Sequence, residues 1–222
     1  MSQTATSATS ATDKFTAAMA ACPLVAILRG LQPDEAVEVG LALVENGFHI
    51  IEVPLNSPQP FVSIARLVDA LPDHILLGAG TVLNTGDVEQ LADAGGQLMV
   101  SPNTVPAVIA AAAAKGMVTL PGFATPTEGF AALDAGATGL KLFPTDGYPP
   151  SYIKAVRAVL PAGLPILAVG GVNTENMQPW VDMGASGFGL GSSLYQAGRS
   201  AEETGIRAKA HVDAVRATGL CR

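Results

Sequence analysis

One phrase recurs along this chain and constrains it more than any other feature. A helical stretch closes on a small or polar residue and a glycine, and a β-rich apolar run follows within a few residues. It reads Asn46-Gly47 before residues 48–55, Ala94-Gly95 before 97–100 and Lys115-Gly116 before 117–120. It returns as Ala135-Gly136 before 139–143 and as Met183-Gly184 before 187–190. A glycine just past a helix takes the left-handed conformation that ends it. Two further runs, 75–81 and 165–169, follow helices that stop near proline, at Leu71-Pro72 and Leu160-Pro161. With the opening run 23–28 the tally is eight candidate strands, each followed by a helical segment.

Most of these runs are continuously apolar, as expected of strands buried on both faces. Eight βα units within about 200 residues predict an α/β fold of the (β/α)8 TIM-barrel type, one domain over residues 13–222. A doubly wound open sheet is the alternative, and the first strand lacks the glycine-rich turn of dinucleotide binders. Residues 1–12, rich in Ser, Thr and Ala, read as a mobile tail, with a short helix predicted from Asp13 to Ala21. No run reaches the roughly 18–20 apolar residues that span a bilayer. No basic and then hydrophobic stretch precedes Cys22 as a secretory signal requires.

Composition excludes several partners. Acidic residues outnumber basic ones, 19 to 12, which argues against nucleic acid and against an anionic membrane. An anionic substrate would therefore be held by local groups. The two cysteines, Cys22 and Cys221, show neither a metal-ligand spacing nor a disulfide framework, so a reducing cytosol is the default compartment. His49, His74 and His211 are scattered without metal spacing.

In a barrel of this kind chemistry sits where strands end and βα loops begin. The sixth candidate strand carries Lys141 in Gly139-Leu140-Lys141-Leu142-Phe143-Pro144, and alternation puts Gly139, Lys141 and Phe143 on one face. A lysine buried there sheds its proton and becomes a nucleophile; one that snorkels to the surface does not. Glu52 lies inside the second strand, where a barrel would let it face Lys141 across the interior. The bland alternative is a buried ion pair that only adjusts stability. Arg29, at the end of the first strand, is a candidate for gripping a carboxylate.

The third strand ends Gly78-Ala79-Gly80-Thr81 and the fourth Ser101-Pro102-Asn103. Gly170-Gly171 and Gly191-Ser192 follow the last two strands, each expected to lead into a helix, so their N–H groups form a candidate phosphate site. Tight turns alone would also explain such glycines. An activated lysine, a buried carboxylate, no metal ligands and a phosphate cradle together fit an imine-forming aldolase. Lys141 would attack a 2-keto group, Glu52 would move protons, and Thr81 with Gly80 and Arg29 would hold the keto-acid end.

These residues resemble a known family. Ile27-Leu28-Arg29-Gly30, the segment from Ile51-Glu52-Val53-Pro54 to Leu55-Asn56-Ser57-Pro58, Gly78-Ala79-Gly80-Thr81-Val82 and Leu140-Lys141-Leu142-Phe143-Pro144 are similar to the 2-keto-3-deoxy-6-phosphogluconate aldolases. The likeness continues through Val169-Gly170-Gly171-Val172 and Gly189-Leu190-Gly191-Ser192 and covers about residues 15–215. It looks closest to the galactonate branch. The gluconate enzymes carry Glu-x-Thr-Leu-Arg-Thr where this chain has Glu52-Val53-Pro54-Leu55-Asn56-Ser57, and Thr where it has Val169.

The resemblance implies a class I aldolase, a carbon–carbon lyase. It would cleave 2-dehydro-3-deoxy-6-phospho-D-galactonate to pyruvate and D-glyceraldehyde 3-phosphate. It further implies a cytoplasmic homotrimer that uses no cofactor and no metal, with Asn56, Pro102, Phe143 and Val169 in the substrate pocket. The missing strand-two arginine leaves open what besides Thr81 holds the carboxylate. The rival readings are the gluconate epimer or 4-hydroxy-2-oxoglutarate as substrate, a phosphate-binding barrel epimerase or synthase, and a non-catalytic sugar-phosphate-binding barrel.

Overall fold

A computed structural model describes residues 9–221. Most of the expected tail, residues 1–8, lies outside the described residues. The predicted first helix starts two residues early, as α1 (Ala11–Ala21), because Ser10 caps it: its hydroxyl accepts from the Asp13 N–H at 3.1 Å.

Nine parallel strands follow: β1 (Leu24–Ile27), β2 (Ile50–Pro54), β3 (Leu76–Gly80), β4 (Leu98–Val100), β5 (Val118–Leu120), β6 (Gly122–Phe123), β7 (Leu140–Leu142), β8 (Ile166–Val169) and β9 (Gly187–Leu190). Helices α2 (Ala36–Glu45), α3 (Pro60–Ala70), α4 (Thr85–Asp93), α5 (Pro106–Ala114), α6 (Pro126–Asp134), α7 (Ser151–Arg157) and α8 (Met177–Asp182) fill the crossovers, and α9 (Ala201–Ala217) follows the last strand. The sheet runs β5-β4-β3-β2-β1-β9-β8-β7-β6.

The ninth strand arises from a break in the expected fifth. Proline has no N–H to donate to a ladder, and Pro121 separates β5, which pairs with β4, from β6, which pairs with β7. The carbonyl of Pro121 accepts from the Lys141 N–H at 2.9 Å, while the Gly122 N–H donates to Ser101 O at 3.0 Å. The ring of strands therefore closes through one interrupted segment, and the (β/α)8 barrel stands.

Strand alternation divides the core in two. One set of side chains, among them Ala26, Ile51, Val53, Leu77, Met99, Leu140 and Ile166, faces outward and packs under the helices. The other set, including Val25, Ile50, Leu76, Leu98, Val118 and Leu167, fills the barrel together with Ala11, Phe15 and Ala18 of α1. Helix α1 is thus a plug at the N-terminal end of the strands, and Lys14 Nζ ties it to Gln97 Oε1 at 2.9 Å. Burying a side chain such as Phe15 contributes on the order of 2 kcal/mol. Closing that end leaves the opposite mouth for chemistry.

The sequence places Cys22 and Cys221 far apart, and the fold packs them together as free, buried thiols in one apolar cluster. Burial, then the neighbouring Cys221, pushes the Cys22 thiol up to about 12. Among the described residues no helix is long and apolar enough to cross a membrane, and no group of three or more His, Cys, Asp or Glu could hold a metal ion.

Candidate active site

Lys141 is the middle residue of β7, between outward-facing Leu140 and Leu142, so its side chain enters the barrel. It is 8% exposed, and Glu52 of β2 is 2% exposed. Both line one interior cavity whose other walls are Val25, Ile27, Val100, Leu120, Leu167, Val169 and Gly189. Among the described residues no ion pair within 4.0 Å joins them. Glu52 Oε2 is buried without a hydrogen-bond partner. Lys141 Nζ instead lies 4.8 Å from the centroid of the Phe143 ring.

These surroundings disfavour charge on both groups. Burial pushes the Glu52 carboxyl well above the usual carboxylate range, against the opposing pull of Lys141 and Arg29. Burial likewise holds the Lys141 amine below the usual lysine range; Glu52 opposes that shift and Arg29 adds to it. An unpaired buried carboxyl beside an amine poised to lose its proton can move protons next to a nucleophile.

Gly80, at the end of β3, makes room for this carboxylate: a Cβ there would strike Glu52 Oε2. Thr81 follows with φ +57°, a left-handed conformation that β-branched residues avoid. Such a conformation persists where the surroundings over-determine it, most often at functional sites. Arg29 Nη1 donates to Asn56 Oδ1 at 3.0 Å, so the strand-one arginine is held by the asparagine just past β2.

Above the interior cavity a second, of about 340 Å³, opens at the C-terminal mouth. Arg29, Phe143, Val169, Gly170, Gly171, Gly191 and Ser192 line it, with Ile27, Val172, Asn173, Gly189 and Ser193. Ile27, Val169 and Gly189 border both spaces. The expected helix starts are displaced. Helix α8 begins at Met177, after a turn, and α9 only at Ala201. Among the described residues, the N–H groups of Gly171, Val172, Ser192 and Ser193 donate to no protein acceptor, and loop amides of this kind can take an anion. Ser193 Oγ donates to Val172 O at 2.9 Å and so joins the two glycine loops.

The structure brings Lys141, Glu52 and Val169 to one cavity and the glycine loops, Arg29 and Phe143 to the mouth above it. Gly80, Thr81, Asn56 and Pro102 line neither space; Gly80 touches the site through Glu52, and Asn56 through Arg29. The apolar wall of Ile27, Leu120 and Leu167 carries no sequence signal that separates it from ordinary core. Gly189 was findable, since it faces inward two residues before Gly191.

Residues 15–210 match the family model described as KDPG and KHG aldolase. A probable 2-dehydro-3-deoxy-6-phosphogalactonate aldolase of Rhizobium meliloti (strain 1021) is 59% identical over 186 residues, 84% of this chain and 88% of that protein. The 2-dehydro-3-deoxy-6-phosphogalactonate aldolase of Escherichia coli (strain K12) is 52% identical over 194 residues, 87% of this chain and 95% of that one. Among solved structures, one described as native KDPGal superimposes with a TM-score of 0.87 at 51% identity, covering 89% of this chain and 96% of its own.

Proposed function

Because the chain belongs to the KDPG and KHG aldolase family, we propose that it cleaves 2-dehydro-3-deoxy-6-phospho-D-galactonate to pyruvate and D-glyceraldehyde 3-phosphate through an imine on Lys141. The observation that carries this reading is the shared cavity: a buried amine held below its usual pKa, facing a buried carboxyl with one oxygen unpartnered. The two relatives above half identity, named for the galactonate substrate, support the choice of epimer.

In this reading neutral Lys141 Nζ attacks C2 of the substrate to give a carbinolamine. Glu52 donates the proton with which water leaves, and an iminium forms. The carboxylate so generated accepts, through water, the proton of the C4 hydroxyl as the C3–C4 bond breaks. The bonding electrons move into the iminium to give an enamine, and the aldehyde departs. Protonation at C3 and hydrolysis release pyruvate and restore the amine. Thr81, Gly80 and Arg29 hold the carboxylate end, with Asn56 steadying Arg29. Phe143 and Val169 border the carbon chain. Loop amides at Gly170, Gly171, Gly191 and Ser192 take the phosphate.

Borohydride reduction with pyruvate, followed by peptide mapping, tests the imine: a stable adduct on Lys141 is expected. A phosphate-binding barrel of another reaction class, or a non-catalytic one, gives none. Assay of both C4 epimers tests the substrate. A tenfold preference for the gluconate epimer, about 1.4 kcal/mol of discrimination, would overturn the choice of epimer. The cytoplasmic homotrimer belongs to the same reading, and light scattering should give three times the 22.5 kDa of the chain.

A further inference from the structure

The loop after β8 contains two adjacent glycines in positive-φ conformations, Gly170 at +114° and Gly171 at +63°. Glycine backbones choose among many orientations, so a cradle built from them needs something to hold its peptide planes. Three successive carbonyls of this loop are each held by a side chain. Thr145 Oγ1 donates to Gly170 O, Asn176 Nδ2 to Gly171 O at 2.9 Å, and Ser193 Oγ to Val172 O at 2.9 Å. A planar trans peptide points its C=O and the following N–H in opposite directions. Fixing the Gly170 carbonyl therefore fixes the Gly171 N–H, and fixing the Gly171 carbonyl fixes the Val172 N–H, two of the amides left without a protein acceptor.

Thr145 differs from the other two in where it comes from. It opens a 3-10 turn, Thr145–Gly147, directly after Pro144, three residues beyond Leu142 at the end of the lysine strand, and it is 3% exposed. Its own N–H lies 3.1 Å from where a Cβ on Gly170 would stand, and Asp146 Oδ1 fills the corresponding place on Gly171. The loop carrying the reacting strand and the glycine loop are packed backbone to backbone, with the Thr145 hydroxyl as the pin.

We propose that Thr145 is a positioning residue that fixes the Gly170–Gly171 peptide plane, and with it the Gly171 N–H, relative to Lys141, and so sets how strongly the enzyme prefers phosphorylated over unphosphorylated aldehydes. The proposal rests on the reading of these amides as the phosphate cradle. Thr145→Val keeps shape and removes the hydroxyl; Thr145→Ser keeps the hydroxyl. In the condensation direction, with saturating pyruvate, kcat/KM is measured for D-glyceraldehyde 3-phosphate and for D-glyceraldehyde.

For Thr145→Val the expected result is a ten- to hundredfold loss with the phosphorylated aldehyde and less than a threefold loss with the other. Thr145→Ser should stay within threefold of wild type on both. Borohydride trapping of pyruvate should be unchanged in each variant. Equal losses on the two aldehydes, or no loss on either, overturn the proposal while leaving the cradle intact. A wild-type enzyme indifferent to the phosphate overturns the cradle itself and the proposal with it. Should Thr145→Val fail to fold, Thr145→Ala is read by the same ratio.

Discussion

The carboxylate of Glu52 occupies the space that a side chain on Gly80 would need. Residue 80 sits on the strand next to β2, with Pro54 as its register partner, so its pleat faces the same interior. The missing side chain is therefore part of how Glu52 is aimed.

Gly80→Ala is expected to drive the carboxylate off its position. A displacement near 1 Å costs on the order of 10²-fold in rate. Steady-state kinetics should show that loss in kcat, with the Lys141–pyruvate adduct still trappable, because the amine is untouched. Retention of full kcat would mean that Glu52 does not act from the position seen here.

The pH response of adduct formation carries a sign that differs between two variants. Burial raises the Glu52 carboxyl and lowers the Lys141 amine, and the two titrate as a pair. Adduct formation needs the neutral amine together with the protonated Glu52 carboxyl, so at saturating pyruvate its rate should rise with pH to a maximum, with a midpoint on that rising limb, and fall again once the pair has lost both protons. The Glu52 charge raises the lysine value and the Arg29 charge lowers it. Glu52→Gln should therefore move the midpoint to lower pH and Arg29→Ala to higher pH. Mass spectrometry of borohydride-trapped protein across the pH range reads both midpoints, and shifts in one common direction would contradict the electrostatic account.

The barrel was legible because its punctuation is local. Gly47, Gly95, Gly116, Gly136 and Gly184, each read as ending a helix, all have positive φ. The inward phase of Lys141 and Glu52 followed from strand alternation alone. What could not be read are relations that depend on closure or register. The plug role of α1 and the contact between Cys22 and Cys221 join parts distant in sequence. The approach of Gly80 to Glu52 needs the pairing of β2 with β3. The capping box Thr125–Glu128 at the start of α6 is legible in sequence as a Thr three residues before a Glu. The displaced starts of α8 and α9 show the opposite error, since glycine followed by polar residues marks a turn as readily as a helix entry.

Thr81 holds a left-handed backbone at φ +57°. That conformation costs an L-residue about 1–2 kcal/mol, while glycine adopts it freely and loses about 0.4–1 kcal/mol through its looser unfolded chain. Thr81→Gly should thus be neutral or stabilising by up to about 1.6 kcal/mol in urea unfolding. Activity should fall in the other direction. Losing a hydrogen bond to a charged carboxylate costs about 1.5–3 kcal/mol, or ten- to hundredfold in kcat/KM. A variant that is destabilised and fully active would remove both the strain and the role assigned to the hydroxyl.

Val169 borders both the lysine cavity and the mouth, is 5% exposed, and lies close against the bare Cα of Gly189. Threonine has nearly the same shape, so Val169→Thr exchanges a methyl for a hydroxyl without repacking. With no substrate bound, that hydroxyl is buried without an assured partner, and stability should drop by about 1–3 kcal/mol. With substrate bound, it offers a hydrogen bond to whichever C4 epimer turns its hydroxyl towards strand β8. A neutral bond is worth about 1 kcal/mol, close to fivefold. The gluconate enzymes carry threonine at this position, so the ratio of kcat/KM for the galactonate over the gluconate epimer should fall by about that factor when both are assayed with one preparation. An unchanged ratio would place C4 away from Val169 and move the source of epimer choice to the Asn56–Arg29 side of the mouth.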